Sequence, residues 1–151
     1  MERIAYDKVD PKAVKAMLGL ETYVSSSGLE ASLLELIRLR ASQINGCTYC
    51  IDMHSKDARA KGETEQRLYL LQAWPEAPFY SDRERAALAW TEAITKISET
   101  HAPDAVYKEA CKHFSEAELV ALTMAIVTIN GWNRIAIAFR EIPSAHQPAA
   151  K

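Results

Sequence analysis

The chain has 151 residues, of which 48% are apolar and 25% charged, a composition that excludes a disordered or low-complexity protein. Its formal net charge of -2 lacks the excess of Lys and Arg that binding to a phosphate backbone requires, so we expect no nucleic-acid partner. Acidic and basic residues occupy the N-terminus where a signal peptide would be apolar, and three cysteines are too few for a disulfide framework, so we expect a cytoplasmic protein.

Helix start and stop signals are frequent along the chain, and strand signals are nearly absent. Asp10-Pro11 reads as an N-cap followed by proline at the first helical position. Ser81 and Ser115 each precede a Glu by three residues, which is the spacing of a capping box. With the apolar periodicity, these signals predict seven helices, over about 11–24, 29–44, 47–62, 64–74, 81–97, 103–113 and 119–139.

These helices predict an all-α bundle that forms a single domain over residues 1–151, with a core of about 10–140 and a peripheral tail, 142–151. The 119–139 helix is apolar almost all round at first, as expected of a helix enclosed by others. Asn130, Asn133 and Arg134 would be costly in a bilayer core. We therefore predict a buried central helix rather than a membrane span, with these polar groups bonded to neighbouring helices.

The segment 47–54, Cys-Thr-Tyr-Cys-Ile-Asp-Met-His, carries the reactive groups. At about 100° per residue, Cys47, Cys50 and His54 fall on one inward helix face. Sulfurs three residues apart on a helix can form a disulfide reversibly, and the helix N-terminus favours a thiolate there. His54 can exchange a proton with a thiol or a bridging water if a third group holds its ring. The segment predicts a redox-active pair beside an acid–base imidazole.

A carboxylate that could hold the His54 ring is Glu35, twelve residues before Cys47. Its helical phase, however, places it opposite the strongest apolar stripe of its helix, near Leu39 and Ser42. Periodicity alone therefore predicts a solvated side chain at this position. The two interpretations of Glu35 stay open on this evidence.

Glu35, Cys47, Cys50 and His54 together match the Glu-x(11)-Cys-x-x-Cys-x-x-x-His signature of the alkyl hydroperoxidase D (AhpD) family. That family lies within the carboxymuconolactone decarboxylase-like superfamily, and four positions at fixed spacing are far more specific than a lone Cys-x-x-Cys. The resemblance implies an enzyme, a peroxidase that reduces hydroperoxides through a sulfenic acid and an intramolecular disulfide. It implies that Cys50 attacks the peroxide, Cys47 resolves the sulfenic acid, His54 relays protons and Glu35 orients His54.

The segments 81–92 and 129–135 also resemble AhpD-like proteins, so the similarity covers about residues 10–140. The family implies an all-helical homo-oligomer, a trimer or hexamer, with the site near a subunit boundary. It further implies a hydroperoxide substrate and a dithiol or lipoylated protein as the reductant. No cofactor or resident metal is expected.

Two features leave parts of the chemistry open. The helix terminus favours the thiolate at Cys47, whereas the family assigns peroxide attack to Cys50, so the sulfur that meets the reductant is undecided. The best-studied relatives have a second histidine just before the second cysteine, where this sequence has Tyr49. A phenol, with an ordinary pKa near ~10, relays protons poorly at neutral pH.

Other interpretations of the same residues compete with the peroxidase. A zinc site could use Cys47, Cys50 and His54 with either Glu35 or Cys111, although a second Cys-x-x-Cys or His-x-x-x-His is missing. The pair could also belong to a non-catalytic redox sensor or interaction protein. Lactone decarboxylation, the third alternative, does not require the cysteines.

The remaining cysteine and histidines carry no motif. Cys111 and His113 are two residues apart and so lie on different helix faces, and we predict Cys111 to be a small core residue. His101 and His146 fall in a predicted loop and in the tail. Both are predicted to be solvated.

Overall fold

The structure is a computed structural model that describes residues 1–143, 146 and 148. Over these residues the chain is all-helical without a strand, which confirms the predicted fold class. The helices are α1 (Tyr6–Val9), α2 (Pro11–Ser25), α3 (Ala31–Asn45), α4 (Thr48–Ala60), α5 (Glu65–Tyr69), α6 (Asp82–Thr95), α7 (Ile97–Thr100), α8 (Asp104–His113) and α9 (Glu116–Phe139), with a 3₁₀ turn at Leu71–Ala73.

The described chain contains nine α-helices where the sequence predicts seven. The two additional ones, α1 and α7, have four residues each, which is too short for an apolar periodicity to appear. The predicted 64–74 helix is divided into α5 and the 3₁₀ turn. Its buried Leu68 and Leu71 are three residues apart, a spacing that suits a 3₁₀ helix as well as an α-helix.

The predicted start signals act as expected. The Asp10 carboxylate accepts hydrogen bonds from the backbone N–H groups of Lys12 and Ala13 at the start of α2. Ser81 and Ser115 each form a complete capping box, in which the serine and the Glu three residues later satisfy each other's backbone N–H. The beginnings of α2, α6 and α9 are therefore fixed by local sequence.

Helix α3 lies at the centre of the bundle and packs against α4, α6 and α9. Leu33, Leu34 and Ile37 enter an apolar cluster shared with α6 and α9. Leu36 and Leu39 enter a second cluster, between α4, α6 and the 3₁₀ turn. Because the helix is covered on more than one side, positions off its main apolar stripe are also buried.

Two polar side chains attach α9 to its neighbours, as predicted for Asn130 and Asn133. The Asn45 amide donates to the side-chain oxygens of Asn130 and Asn133 at 3.0 and 2.9 Å, and Asn133 donates to the Ser42 hydroxyl at 3.0 Å. The prediction that Arg134 bonds to a neighbouring helix was wrong, because its guanidinium donates to the backbone and side-chain oxygens of Asn130 on its own helix, both at 3.0 Å. Each interruption of the apolar helix is thus satisfied by hydrogen bonds.

Within the described residues, α9 is the one helix whose length and mean hydropathy, 1.3, would allow it to cross a membrane. Half of that apolar window is buried among the other helices. Its packing is that of a core helix, since α2, α3, α4 and α6 all contact it.

The prediction of a peripheral tail over 142–151 lies largely outside the described residues. Ile142 and Pro143 are exposed. The prediction that His146 is solvated was wrong, because its Nε2 lies 2.8 Å from a carboxylate oxygen of Asp57 on α4. His101 is exposed, as predicted.

The prediction for Cys111 was also wrong, since its side chain is exposed on α8. Helix α8 buries Ala110, and the next residue points about 100° away from that direction. The direction of its side chain on α8, and not its small size, therefore determines that Cys111 is exposed.

Candidate functional site

Cys47 and Cys50 are joined by a disulfide at the start of α4, with their Cα atoms 5.3 Å apart. Cys47 is the N-cap residue, and its sulfur accepts a hydrogen bond from the Cys50 backbone N–H at 3.3 Å. Both residues are buried, at 1% and 2% exposure, against Ala136 of α9. The left-handed turn at Gly46, with φ of 69°, ends α3 directly before this cap. The glycine that ends α3 and the cysteine that caps α4 therefore place both sulfurs at the N-terminus of α4.

His54 lies one turn beyond Cys50 on the same helix and contacts Glu35 of α3. The distance from His54 Nδ1 to Glu35 Oε2 is 2.9 Å, and the two side chains are buried at 6% and 2% exposure. The ionised carboxylate accepts a hydrogen bond from Nδ1–H, which leaves Nε2 as the ring nitrogen that can exchange a proton. The structure thus brings together all four residues of the sequence motif.

Three positively charged or proton-donating groups surround the Glu35 carboxylate. Besides His54, Lys61 Nζ lies 2.5 Å from Oε1, and Arg38 donates to the same oxygen at 3.3 Å. Burial acts to raise the pKa of Glu35, but the hydrogen bonds and charges of these partners outweigh it and lower the pKa to about 2. Glu35 is therefore ionised at neutral pH and holds His54 in one orientation.

Folding stability should fall at acid pH through Glu35. Its pKa is lower in the folded chain, about 2 against 4.5, so its contribution is complete above 4.5 and is lost as the pH falls towards 2. That shift corresponds to about 3 kcal/mol. Chemical denaturation at neutral and acid pH should show this loss in the wild type but not in Glu35→Gln. Glu76→Gln removes an exposed carboxylate and is the control, so it should lose as much stability at acid pH as the wild type does. An equal loss of unfolding free energy in all three proteins would contradict the contribution assigned to Glu35.

The prediction from periodicity that Glu35 is solvated was wrong. Periodicity identifies a single buried face of a helix, whereas α3 is covered by other helices on several sides. The cost of burying the carboxylate is offset by its three partners. Arg38, three residues on, was the available signal, because a basic residue at that spacing can pair with a carboxylate.

Cys50, His54 and Glu35 line a cavity of about 450 Å³. Opposite them, Leu18 of α2 and Trp132 of α9 contribute an apolar wall. Such a cavity can admit a small organic molecule to the Cys50 sulfur while keeping an acid–base imidazole beside it.

Cys47 lines a different cavity, of about 330 Å³, at the other side of the pair. Tyr49, Ala136 and Glu141 line both cavities and so form the partition between them. Burial raises the pKa of the Tyr49 phenol, with the charge of Glu141 adding to the effect, so this side chain keeps its proton at neutral pH. Sequence reasoning missed Glu141, which follows α9 and belongs to no motif.

Ligand atoms of Glu35, His54 and Asp57 lie within 4.8 Å of one another, close enough to share a metal ion. Arg38 and Lys61 already bind the Glu35 carboxylate, however, and their charges oppose a cation there. The two sulfurs are bonded to each other, and Cys111 lies exposed on α8. The arrangement favours a redox pair over a zinc centre.

The helical bundle and its Glu–Cys–Cys–His site define an AhpD-like protein. Residues 11–93 match the model of the carboxymuconolactone decarboxylase family, and the chain belongs to that family. The family resemblance predicted from the motif is therefore confirmed.

Similar proteins cover nearly the whole chain. The uncharacterized protein YdfG of Bacillus subtilis (strain 168) is 46% identical over 137 residues, 91% of this chain and 93% of that protein. The structure of a protein of unknown function from Agrobacterium tumefaciens, described as a candidate antioxidant-defence protein AhpD, is 49% identical, covers 97% of this chain and 100% of its own, and superposes with a TM-score of 0.94.

A more distant structure shares the fold alone. The AhpD core of a peroxidase-related protein from Ralstonia eutropha JMP134 is 19% identical and superposes with a TM-score of 0.81. The match covers 92% of this chain and 74% of the other. The helical architecture therefore persists at low sequence identity.

Proposed function

We propose that the protein is a thiol peroxidase and disulfide oxidoreductase that reduces hydroperoxides at Cys50. The observation that carries this proposal is the shared cavity of Cys50 and His54, with the His54 ring held at 2.9 Å by an ionised, buried Glu35. A nucleophile, an acid–base group and an orienting carboxylate are the parts that nucleophilic catalysis requires.

In the oxidative half of the reaction, the reduced Cys50 gives its proton to His54, and its thiolate attacks one peroxide oxygen. An S–O bond forms and the O–O bond breaks, so Cys50 becomes a sulfenic acid and the alkoxide takes the proton from His54 to leave as an alcohol. Cys47 then attacks the Cys50 sulfur. The disulfide forms and water leaves.

In the reductive half, an external dithiol returns the pair to its starting state. Two thiol–disulfide exchanges transfer two electrons and two protons to the cysteines, and the dithiol leaves as its own disulfide. The resemblance to AhpD proteins suggests a lipoylated protein in this role. No step requires a metal or an organic cofactor.

Turnover with a dithiol distinguishes this enzyme from a redox sensor. The purified protein should consume many equivalents of cumene hydroperoxide when dithiothreitol is supplied, because each reduction regenerates Cys50. The measurement is the hydroperoxide remaining over time, with the same mixture without protein as the control. Consumption that ends after one equivalent would contradict the enzyme and support the sensor.

Exposed apolar side chains on α9 support the expected homo-oligomer. Val120 and Val127 are seven residues apart and so share one exposed face of a helix whose other face is in the core. Aliphatic groups on one outer surface are typical of a contact between subunits. Light scattering of the purified chain measures the subunit number, for which a trimer or hexamer is expected.

A further inference from the structure

The proposed reaction gives no role to Glu141, which follows α9 and lines the cavities of both cysteines. Arg140 adopts a left-handed conformation with φ of 54°, and the Glu141 backbone N–H donates to the Ala136 carbonyl at 2.9 Å. The chain therefore folds back over the last turn of the helix. Ala136 packs against both Cys47 and Cys50, so this turn places Glu141 beside the sulfur pair.

Two tyrosines adjoin the carboxyl. The Tyr6 hydroxyl of α1 donates to Glu141 Oε2 at 2.7 Å, and its ring packs on Phe139 at 5.6 Å between centroids. Tyr49 of α4 borders the same two cavities as Glu141. The carboxyl is thus positioned by a hydrogen bond instead of moving freely in solvent.

The surroundings of Glu141 favour its protonated form more than water does. Burial raises its pKa, the Tyr6 hydrogen bond opposes this, and the negative charges of Glu2 and Asp7 raise it further. The titratable or charged groups that face it are Glu2 from the N-terminal segment, Tyr6 and Asp7 from α1, Tyr49 from α4 and Arg140 beside it.

In the cavity that Cys47 lines, Glu141 is the side chain suited to exchange protons. Tyr49 keeps its proton because its pKa is raised, and the guanidinium of Arg140 is a permanent donor. His54 belongs to the other cavity, with Cys50. Glu141 therefore reaches the Cys47 side of the pair, where His54 does not line the cavity.

We infer that Glu141 carries the proton for the Cys47 sulfur when a dithiol opens the Cys47–Cys50 bond, while His54 serves Cys50. The inference rests on the proposed function, since it assumes that the pair is reduced by a dithiol.

The proton balance defines the step. When the reductant attacks Cys50, its thiol gives its proton to the Glu141 carboxylate, a mixed disulfide with Cys50 forms and the protein's S–S bond breaks. Cys47 leaves as a thiolate and takes that proton from Glu141. The reductant's second thiol then attacks the bound reductant sulfur, its own disulfide closes, the mixed disulfide breaks, and its proton passes to the leaving Cys50 through His54. When the reductant attacks Cys47 instead, Cys50 leaves first with a proton from His54, and Cys47 leaves second with a proton from Glu141.

The test is the rate at which dithiothreitol reduces the oxidised protein, followed by alkylating the released thiols. Glu141→Gln keeps the shape and hydrogen-bonding capacity of the side chain but cannot carry the proton. At about pH 6.5 we expect the variant to be reduced roughly 10²-fold more slowly than the wild type. Above about pH 9 the two rates should converge, because the reductant's thiols then ionise without help.

Controls separate this effect from structural damage. Glu99→Gln removes an exposed carboxylate of α7 that lines neither cavity and should be reduced as fast as the wild type. Tyr6→Phe removes the hydrogen bond to Glu141 and should slow reduction at the lower pH, which provides a second test if Glu141→Gln does not fold. Equal rates for Glu141→Gln and the wild type at about pH 6.5, or a ratio that does not change with pH, would overturn the inference.

This test does not depend on the peroxidase reaction, because no hydroperoxide is present. A slow, pH-dependent reduction of Glu141→Gln supports the inference even if the wild type fails to turn over hydroperoxide. Conversely, normal reduction of the variant overturns the inference and leaves the proposed function standing.

Discussion

Cys50→Ser is expected to abolish hydroperoxide reduction and leave only the background reaction of the reductant. Cys50 is the sulfur that shares a cavity with His54 and Glu35, and a serine hydroxyl neither ionises at neutral pH nor cycles through a disulfide. The measurement is consumption of cumene hydroperoxide with dithiothreitol, at protein concentrations where the wild type completes many turnovers.

Two further variants make this result specific. Cys111→Ser removes an exposed thiol that is remote from the motif in sequence and should keep wild-type activity. Cys47→Ser should form the Cys50 sulfenic acid but not the internal disulfide, so dimedone, which reacts with sulfenic acids and not with thiols, should trap the acid after one equivalent of hydroperoxide. Turnover by Cys50→Ser at the wild-type rate would mean that another group reduces the peroxide.

Glu35→Gln is expected to slow hydroperoxide reduction by roughly 10²–10⁴-fold, the range for loss of general acid–base assistance. A neutral amide keeps the size of the side chain but no longer stabilises a positive charge on the His54 ring at 2.9 Å. His54→Ala should slow the reaction within the same range, because it removes the group that Glu35 orients. The rate of Cys50 oxidation in pre-reduced protein measures both effects.

Glu92→Gln is the matched control for the loss of a paired carboxylate. Glu92 accepts hydrogen bonds from Arg40 and Trp74, as Glu35 does from its own partners, but it does not line either cysteine cavity. Its substitution should leave the rate of Cys50 oxidation unchanged. If Cys50 is oxidised as fast in Glu35→Gln as in Glu92→Gln, the proposed proton relay through Glu35 and His54 is wrong, even if the cysteines are active.

Most of the fold could be predicted because its signals are local. Capping residues such as Ser81 and Ser115 fix helix starts through hydrogen bonds three residues away, so they are visible in the sequence. The cysteines and His54 are likewise within eight residues of one another on one helix. Helices α1 and α7 were missed because four residues do not define a period.

The rest of the site depends on tertiary packing, which periodicity does not describe. Glu35 is buried because α4 and α6 cover α3 on several sides and because Arg38 and Lys61 offset its charge. Periodicity left its role open, and the family motif decided it. Glu141 reaches the site through a backbone turn at Arg140, in a position where most sequences would place glycine, so no local pattern indicated it.

The cap formed by Cys47 links the redox state of the disulfide to the hydrogen bonding at the start of α4. In the oxidised chain its sulfur accepts the Cys50 N–H at 3.3 Å, and a thiolate in the same position is a stronger acceptor than a disulfide sulfur. The hydrogen bond at this cap is therefore strongest at the moment when Cys47 leaves the disulfide as a thiolate, before it takes its proton. The Cys50 N–H both caps the helix and stabilises the Cys47 thiolate, so the start of α4 keeps its conformation while the disulfide opens and closes.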